Sequence, residues 1–149
     1  MRVRTDFDTT AARQMSGTLV VETRGCATLD ITAPVRDWLR EAGARRGLLH
    51  AFVRHTTASL VIQENADPDV QDDLIDALAR LAPADAPYRH SAEGSDDMPG
   101  HIKAMICGPS AVIPCANGPQ FGTWQSLYLV EHRASGRTRE VTLSFIGEA

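Results

Sequence analysis

The stretch from Gly47 to His55 constrains the fold of this chain more than any other, because it is a nearly continuous apolar run of strand length whose side chains turn alternately to two faces. Leu49, Ala51, Val53 and His55 fall on one face; Leu48, His50, Phe52 and Arg54 fall on the other. Such a strand is largely buried, so it demands partner strands and a covering layer. His55 extends the apolar face. A neutral histidine at a strand end is either a hydrogen-bonded core residue or a ligand. Thr56, Thr57 and Ser59 follow it before Leu60-Val61-Ile62 resumes an extended run, and a hydroxyl-rich bend at a strand edge suits a polar pocket.

Further elements assemble around this strand. Gly17–Thr23 and Ala27–Ile31 read as two strands in hairpin-like succession about Gly25. Thr32 is the expected N-cap of a helix with Pro34 in its first turn and Val35, Trp38, Leu39 and Ala42 on its sheet-facing side, Trp38 as core. Asp67-Pro68 opens a second helix with Val70, Leu74, Ala77, Leu78 and Leu81 as its buried stripe. Pro83 and Pro87 break the chain into a loop that carries His90 and Glu93. Pro99–Cys107 is expected to be a short helix, capped by Asp96 or Asp97, with His101 in its first turn. Asn117-Gly118 and Ser135-Gly136 are turns, Thr123–Glu131 is a strand, and Val141, Leu143 and Phe145 are the core face of the last one. Gln125, Leu127, Leu129 and Glu131 share a face; Trp124 is expected to anchor a sheet or a subunit interface.

At 149 residues, 43% hydrophobic and 23% charged, the chain fits one domain at 13–149 behind a loose tail at 1–12. No apolar run reaches the length needed to cross a bilayer, and the N-terminus lacks the apolar centre of a secretory signal, so the expected location is cytoplasmic. Cys26, Cys107 and Cys115 form no Cys-x-x-Cys pair and read as small buried residues, with Cys115 the exception because turn residues follow it. Of the net charge of -4, ten acidic residues fall between Glu64 and Asp97 against Arg80 and Arg89 alone, a balance that repels nucleic acid.

His55, His90 and His101 stand 35 and 11 residues apart, on a strand, a loop and a helix start. Three imidazoles meeting at one point form the protein half of a tetrahedral zinc site with one open position. Asp97, Glu93 and Asp96 are then carboxylates for orienting the imidazoles; Asp97 and Glu93 are also candidates for moving protons. Unliganded acid/base histidines, or histidines unrelated to one another, satisfy the same spacing.

The segments His55-Thr56-Thr57-Ala58-Ser59-Leu60, Glu64-Asn65-Ala66-Asp67-Pro68, Asp96-Asp97-Met98-Pro99-Gly100-His101-Ile102-Lys103, Gly122-Thr123-Trp124-Gln125 and Glu131-His132-Arg133 resemble, in order and spacing, the YjbQ-like family, also called the secondary thiamine-phosphate synthase family. The resemblance implies an α+β fold of mainly antiparallel, sandwich-like sheets with two or three helices. It also implies a homotrimer and a pocket in the histidine-bearing segment that holds a metal ion. Met98 stands where many members carry Asn and offers no polar ligand.

The named activity of that family joins a pyrimidine diphosphate to a thiazole phosphate and releases pyrophosphate. In this chain it would draw on His55, His90 and His101 for the ion, Thr57 and Ser59 as hydroxyl donors, and Arg139 as a phosphate partner. Three imidazoles favour zinc over magnesium, the usual ion of diphosphate chemistry, so the named reaction is expected to be a secondary activity, the physiological reaction a different one, and the partner a small phosphorylated molecule. The alternatives are a zinc-dependent hydrolase of a small phosphorylated or carbonyl substrate, and a non-catalytic trimeric protein that captures an anion or metabolite.

Overall fold

The computed structural model describes residues 12–149. The expected tail, residues 1–12, lies outside them except for Ala12. In chain order the elements are β1 (Arg13–Glu22), β2 (Ala27–Asp30), α1 (Thr32–Glu41), β3 (Arg46–Val53), β4 (Ala58–Glu64), α2 (Pro68–Leu81), α3 (Asp97–Cys107), β5 (Ser110–Ala116), β6 (Gln125–Glu131) and β7 (Thr138–Glu148). They form an α+β fold. One sheet has the order β1-β7-β3-β5 and the other β2-β6-β4, with every pairing antiparallel.

The alternation read in the sequence sets the core. Leu49, Ala51 and Val53 of β3 lie opposite Phe145, Leu143 and Val141 of β7, and all six are buried. Ile113 and Cys115 of β5 extend this layer; Leu127 and Leu129 of β6, Ala58 and Leu60 of β4, and Val35 and Leu39 of α1 close over it in one hydrophobic cluster. Each leucine taken fully out of water there contributes on the order of 2 kcal/mol. The second face of β6 is buried as well, at Tyr128 and Val130, because α2 and α3 lie against its two neighbouring strands, β2 and β4.

Four local expectations are corrected by tertiary contacts. β1 and β2 are not a hairpin: β1 pairs with β7 and β2 with β6, in different sheets. The link between them is held by Thr23, whose amide donates to the Arg137 carbonyl at 2.8 Å. Thr32 is the first helical residue and not the cap of α1; Asp30 Oδ1 accepts its amide at 2.8 Å, while its Oγ1 accepts the Leu127 amide of β6 at 2.8 Å. Asp67 does cap α2, accepting from the Asp69 amide, but no residue of that helix is fully buried and Leu81 is exposed. Cys115 is the buried cysteine and Cys26 the exposed one, since Cys115 falls on the inward face of β5.

Trp38 packs against the core as expected, beneath Gly17, where a Cβ would stand 2.6 Å from its Nε1. Trp124 precedes β6 at 64% exposure, so it anchors no sheet within the chain.

Candidate metal centre at the start of α3

Asp97 is the first residue of α3 and His101 follows one turn later, so both project from one face of the helix. The loop before the helix brings His90 to the same face. His90 Nε2 lies 2.7 Å from Asp97 Oδ2, and His101 Nε2 lies 3.2 Å from the same oxygen. The two imidazoles meet edge to face with centroids 5.6 Å apart. Among the described residues these three side chains bring one ligand atom each within 4.8 Å of one another.

The donor set fits a divalent transition ion. Two imidazole nitrogens and one carboxylate oxygen form a known protein half of zinc sites, with remaining positions open. Ligands about 2.0–2.2 Å from a tetrahedral ion stand roughly 3.3 Å apart, close to the His101–Asp97 spacing. The carboxylate is buried, with a side chain 2% exposed, whereas those of His90 and His101 are 45% and 34% exposed, so the group opens to solvent on one side.

A second layer of charge stands behind it. Arg133, two residues beyond the end of β6, pairs through Nη1 with Asp97 Oδ1 and through Nε with Asp96 Oδ2 at 3.0 Å. Burial pushes the Asp97 carboxyl up, but the His90 hydrogen bond and the charges of Arg133 and the two histidines outweigh it and hold it below the usual carboxylate range. Asp96 is held low first by the Ala134 amide and then by Arg133. Deeper still, burial pushes Glu131 up, yet Arg139, the Arg133 amide and Thr23 bring it below its ordinary value. Gly100 lets α3 lie this close: a Cβ there would meet Thr57 at 3.2 Å and Arg133 Cδ at 3.5 Å.

The other sequence candidates are placed elsewhere. His55 is not in the group; its Nε2 accepts the Glu140 amide at 2.9 Å, which occupies the lone pair that a metal would need there. Burial, and then the charge of Arg139, lower its pKa and keep it neutral for that bond. Its ring lines a groove of about 660 Å³ that it shares with His101, Phe52 and Met105. Arg139 directs Nε and Nη2 at Glu131, at 2.7 and 2.6 Å, so its guanidinium is engaged inside the fold and not held free for a phosphate. Thr57 is buried and its Oγ1 accepts from Arg139 at 3.0 Å; Ser59 is wholly buried, with Oγ 2.9 Å from His132 Nε2. Both hydroxyls are engaged inside the fold. Glu93 is exposed, and its carbonyl accepts from Arg133 Nη2 at 2.8 Å.

Asp97, read from sequence as an orienting or proton-moving carboxylate, thus takes the position expected of a third imidazole, and Arg133 enters unannounced. Two signals point to them. Asp97 and His101 have the i, i+4 spacing of one helix face, and Glu131-His132-Arg133 is an ionisable run that prolongs an apolar strand, where polar groups must find partners.

Residues 17–148 match the family described as UPF0047 protein YjbQ-like. A UPF0047 protein of Synechocystis sp. is 45% identical over 138 residues, covering 91% of this chain and 94% of its own. The UPF0047 protein YjbQ of Escherichia coli O157:H7 is 45% identical over 103 residues, 68% of this chain and 75% of its own. Among solved structures, a hypothetical protein from Aeropyrum pernix K1 superposes with a TM-score of 0.83 at 33% identity, covering 90% of this chain and 99% of its own.

Proposed function

The chain belongs to the YjbQ-like UPF0047 family, and within it we propose that this protein is a metal-dependent enzyme acting on a small phosphorylated molecule, with thiamine-phosphate synthesis as a secondary activity. The observation that carries this reading is the convergence of His90 Nε2, His101 Nε2 and Asp97 Oδ2 on one solvent-open point. Two imidazoles favour zinc, and the carboxylate keeps magnesium possible. A bound divalent ion neutralises the charge that builds on a departing phosphate or diphosphate.

The chain's own residues supply the rest. Asp97 is held ionised and directs one oxygen at the histidines while Arg133 occupies the other. That leaves Glu93, exposed on the same loop, as the carboxylate free to carry a proton. A homotrimer is supported by the apolar outer face of the four-stranded sheet, where Val20, Leu48, Val112 and Ile146 are each more than half exposed. Three free cysteines agree with a cytoplasmic location. Among the described residues no helix is long and apolar enough to cross a membrane. Three protein ligands with an open position also suit the zinc-dependent hydrolase reading, which differs in giving its product without a second organic substrate.

The test is pyrophosphate release from the pyrimidine diphosphate, with and without thiazole phosphate, by zinc-loaded protein purified without a tag. Release that needs both substrates, and that falls at least 100-fold in His101→Ala and Asp97→Asn, supports the transferase. Release without the thiazole supports the hydrolase. Elemental analysis of the same proteins before loading, purified without added metal, should find about one transition-metal ion per chain in wild type and in His55→Ala, and none in His90→Ala. Metal absent from wild type, with no turnover, would move the non-catalytic binding protein to the front.

A further inference from the structure

We infer that Arg133 is the positioning residue of this centre: one buried guanidinium, hydrogen-bonded to neither histidine, holds both the helix start that bears Asp97 and the loop that bears His90 in the geometry that takes up the ion. The inference rests on the metal reading above. Its side chain is 9% exposed, and its donors are spread over three positions of the segment in front of it. Nη2 donates to the Glu93 carbonyl at 2.8 Å and to Asp96 Oδ1 at 3.4 Å, Nε donates to Asp96 Oδ2 at 3.0 Å, and Nη1 pairs with Asp97 Oδ1. The backbone amide of Arg133 is itself fixed by Glu131 Oε1 at 2.9 Å, and Asp96 Oδ2 also accepts the Ala134 amide at 2.8 Å. The metal-facing segment is therefore riveted to the end of β6, a strand of the core.

The consequence for Asp97 is specific. Its Oδ1 is occupied by the guanidinium, so Oδ2 alone is left for an ion, and the carboxylate is restrained to single-oxygen binding. Asp96, at the cap position of α3, makes no side-chain cap bond because its carboxylate is given to Arg133 and Ala134. A lysine reproduces the charge of Arg133 and not its planar fork, which alone can reach several acceptors at once.

Charge and geometry predict opposite outcomes when Arg133 is changed. A cation beside a cation site weakens metal uptake by repulsion, so removing it would tighten binding if charge were its main effect. Removing a positioning group lets Asp97 turn and the His90 loop drift, and binding loosens. The experiment is a cobalt(II) titration of metal-free full-length protein followed by visible absorption, in wild type, Arg133→Met, Arg133→Lys and Asp96→Asn, each checked for native circular dichroism. The expected result is cobalt affinity at least tenfold weaker in Arg133→Met, comparably weak in Arg133→Lys, and about threefold to tenfold weaker in Asp96→Asn. The absorption of bound cobalt, which reports coordination number, should change in Arg133→Met. Affinity and spectrum unchanged in Arg133→Met, tighter binding there, or full recovery in Arg133→Lys overturns the inference. If Arg133→Met does not fold, wild-type affinity in Asp96→Asn overturns it instead. Wild-type protein that takes up no cobalt overturns the reading of the centre and the inference with it, an outcome distinct from the others.

Discussion

His132 shows what burial does to a single residue. It is 2% exposed, its Nε2 is bonded to Ser59, and its Nδ1 has no partner among the described residues. Burial lowers its pKa to about 4, aided by the charges of Lys103 and Arg139 and opposed by Glu131. The folded state therefore refuses a proton that the unfolded chain accepts from about pH 6.5 downward, so stability is complete above that pH and declines as pH falls towards about 4. Between pH 7 and 5 this one group removes about 2 kcal/mol. Asp96, Asp97 and Glu131 stay charged through that window because their pKa values lie below the ordinary carboxylate range. His55 is also lowered and adds loss of the same sign. Urea unfolding at pH 7 and pH 5 should show a smaller acid-side loss in His132→Gln than in wild type. An equal loss would mean that His132 does not titrate as its burial demands.

At the scale of the element, the start of α1 separates a local bond from a long-range tether. Asp30, one residue before the cap position at Ile31, accepts the Thr32 amide from an exposed site, and Asp30→Ala should cost about 0.5–1 kcal/mol. Thr32 instead reaches across to accept the Leu127 amide of β6 in the core. Replacing it with valine keeps the shape and leaves that buried amide without a partner, at about 1–3 kcal/mol. Denaturant midpoints should therefore fall further for Thr32→Val than for Asp30→Ala, and the reverse order would show that α1 is held by its local bond to Asp30 and not by its bond to β6. The sequence marks this helix clearly through Pro34 and the spacing of Val35 and Leu39, but the partner of Thr32 lies 95 residues away, beyond any local pattern.

At the scale of the molecule, the two faces of the four-stranded sheet differ in purpose. The inner face is core; the outer face exposes Leu48 and Ile146, which lie directly opposite each other, together with Val20, Phe52 and Val112. In the proposed homotrimer a face of this kind is covered. Light scattering of the double variant Leu48→Glu, Ile146→Glu should give the mass of one chain where wild type gives three, with circular dichroism unchanged. A wild-type mass in the double variant would remove this face from the contact.

Periodicity along the chain determined which way side chains turn: Leu49, Ala51 and Val53 inward, Val141, Leu143 and Phe145 inward, and the cap of α2 at Asp67. Those properties arise within a few residues, where backbone geometry alone decides the face. Proline and capping signals likewise put His90 on a loop and His101 in the first turn of a helix. Only the tertiary structure decided that β1 and β2 join different sheets, that His55 bonds to Glu140, that Glu131 absorbs Arg139, and that Asp97 joins the two histidines. Each of these depends on which buried donor meets which acceptor, and the cost of leaving such groups unpaired is settled between segments that are distant in sequence and adjacent only once the core has formed.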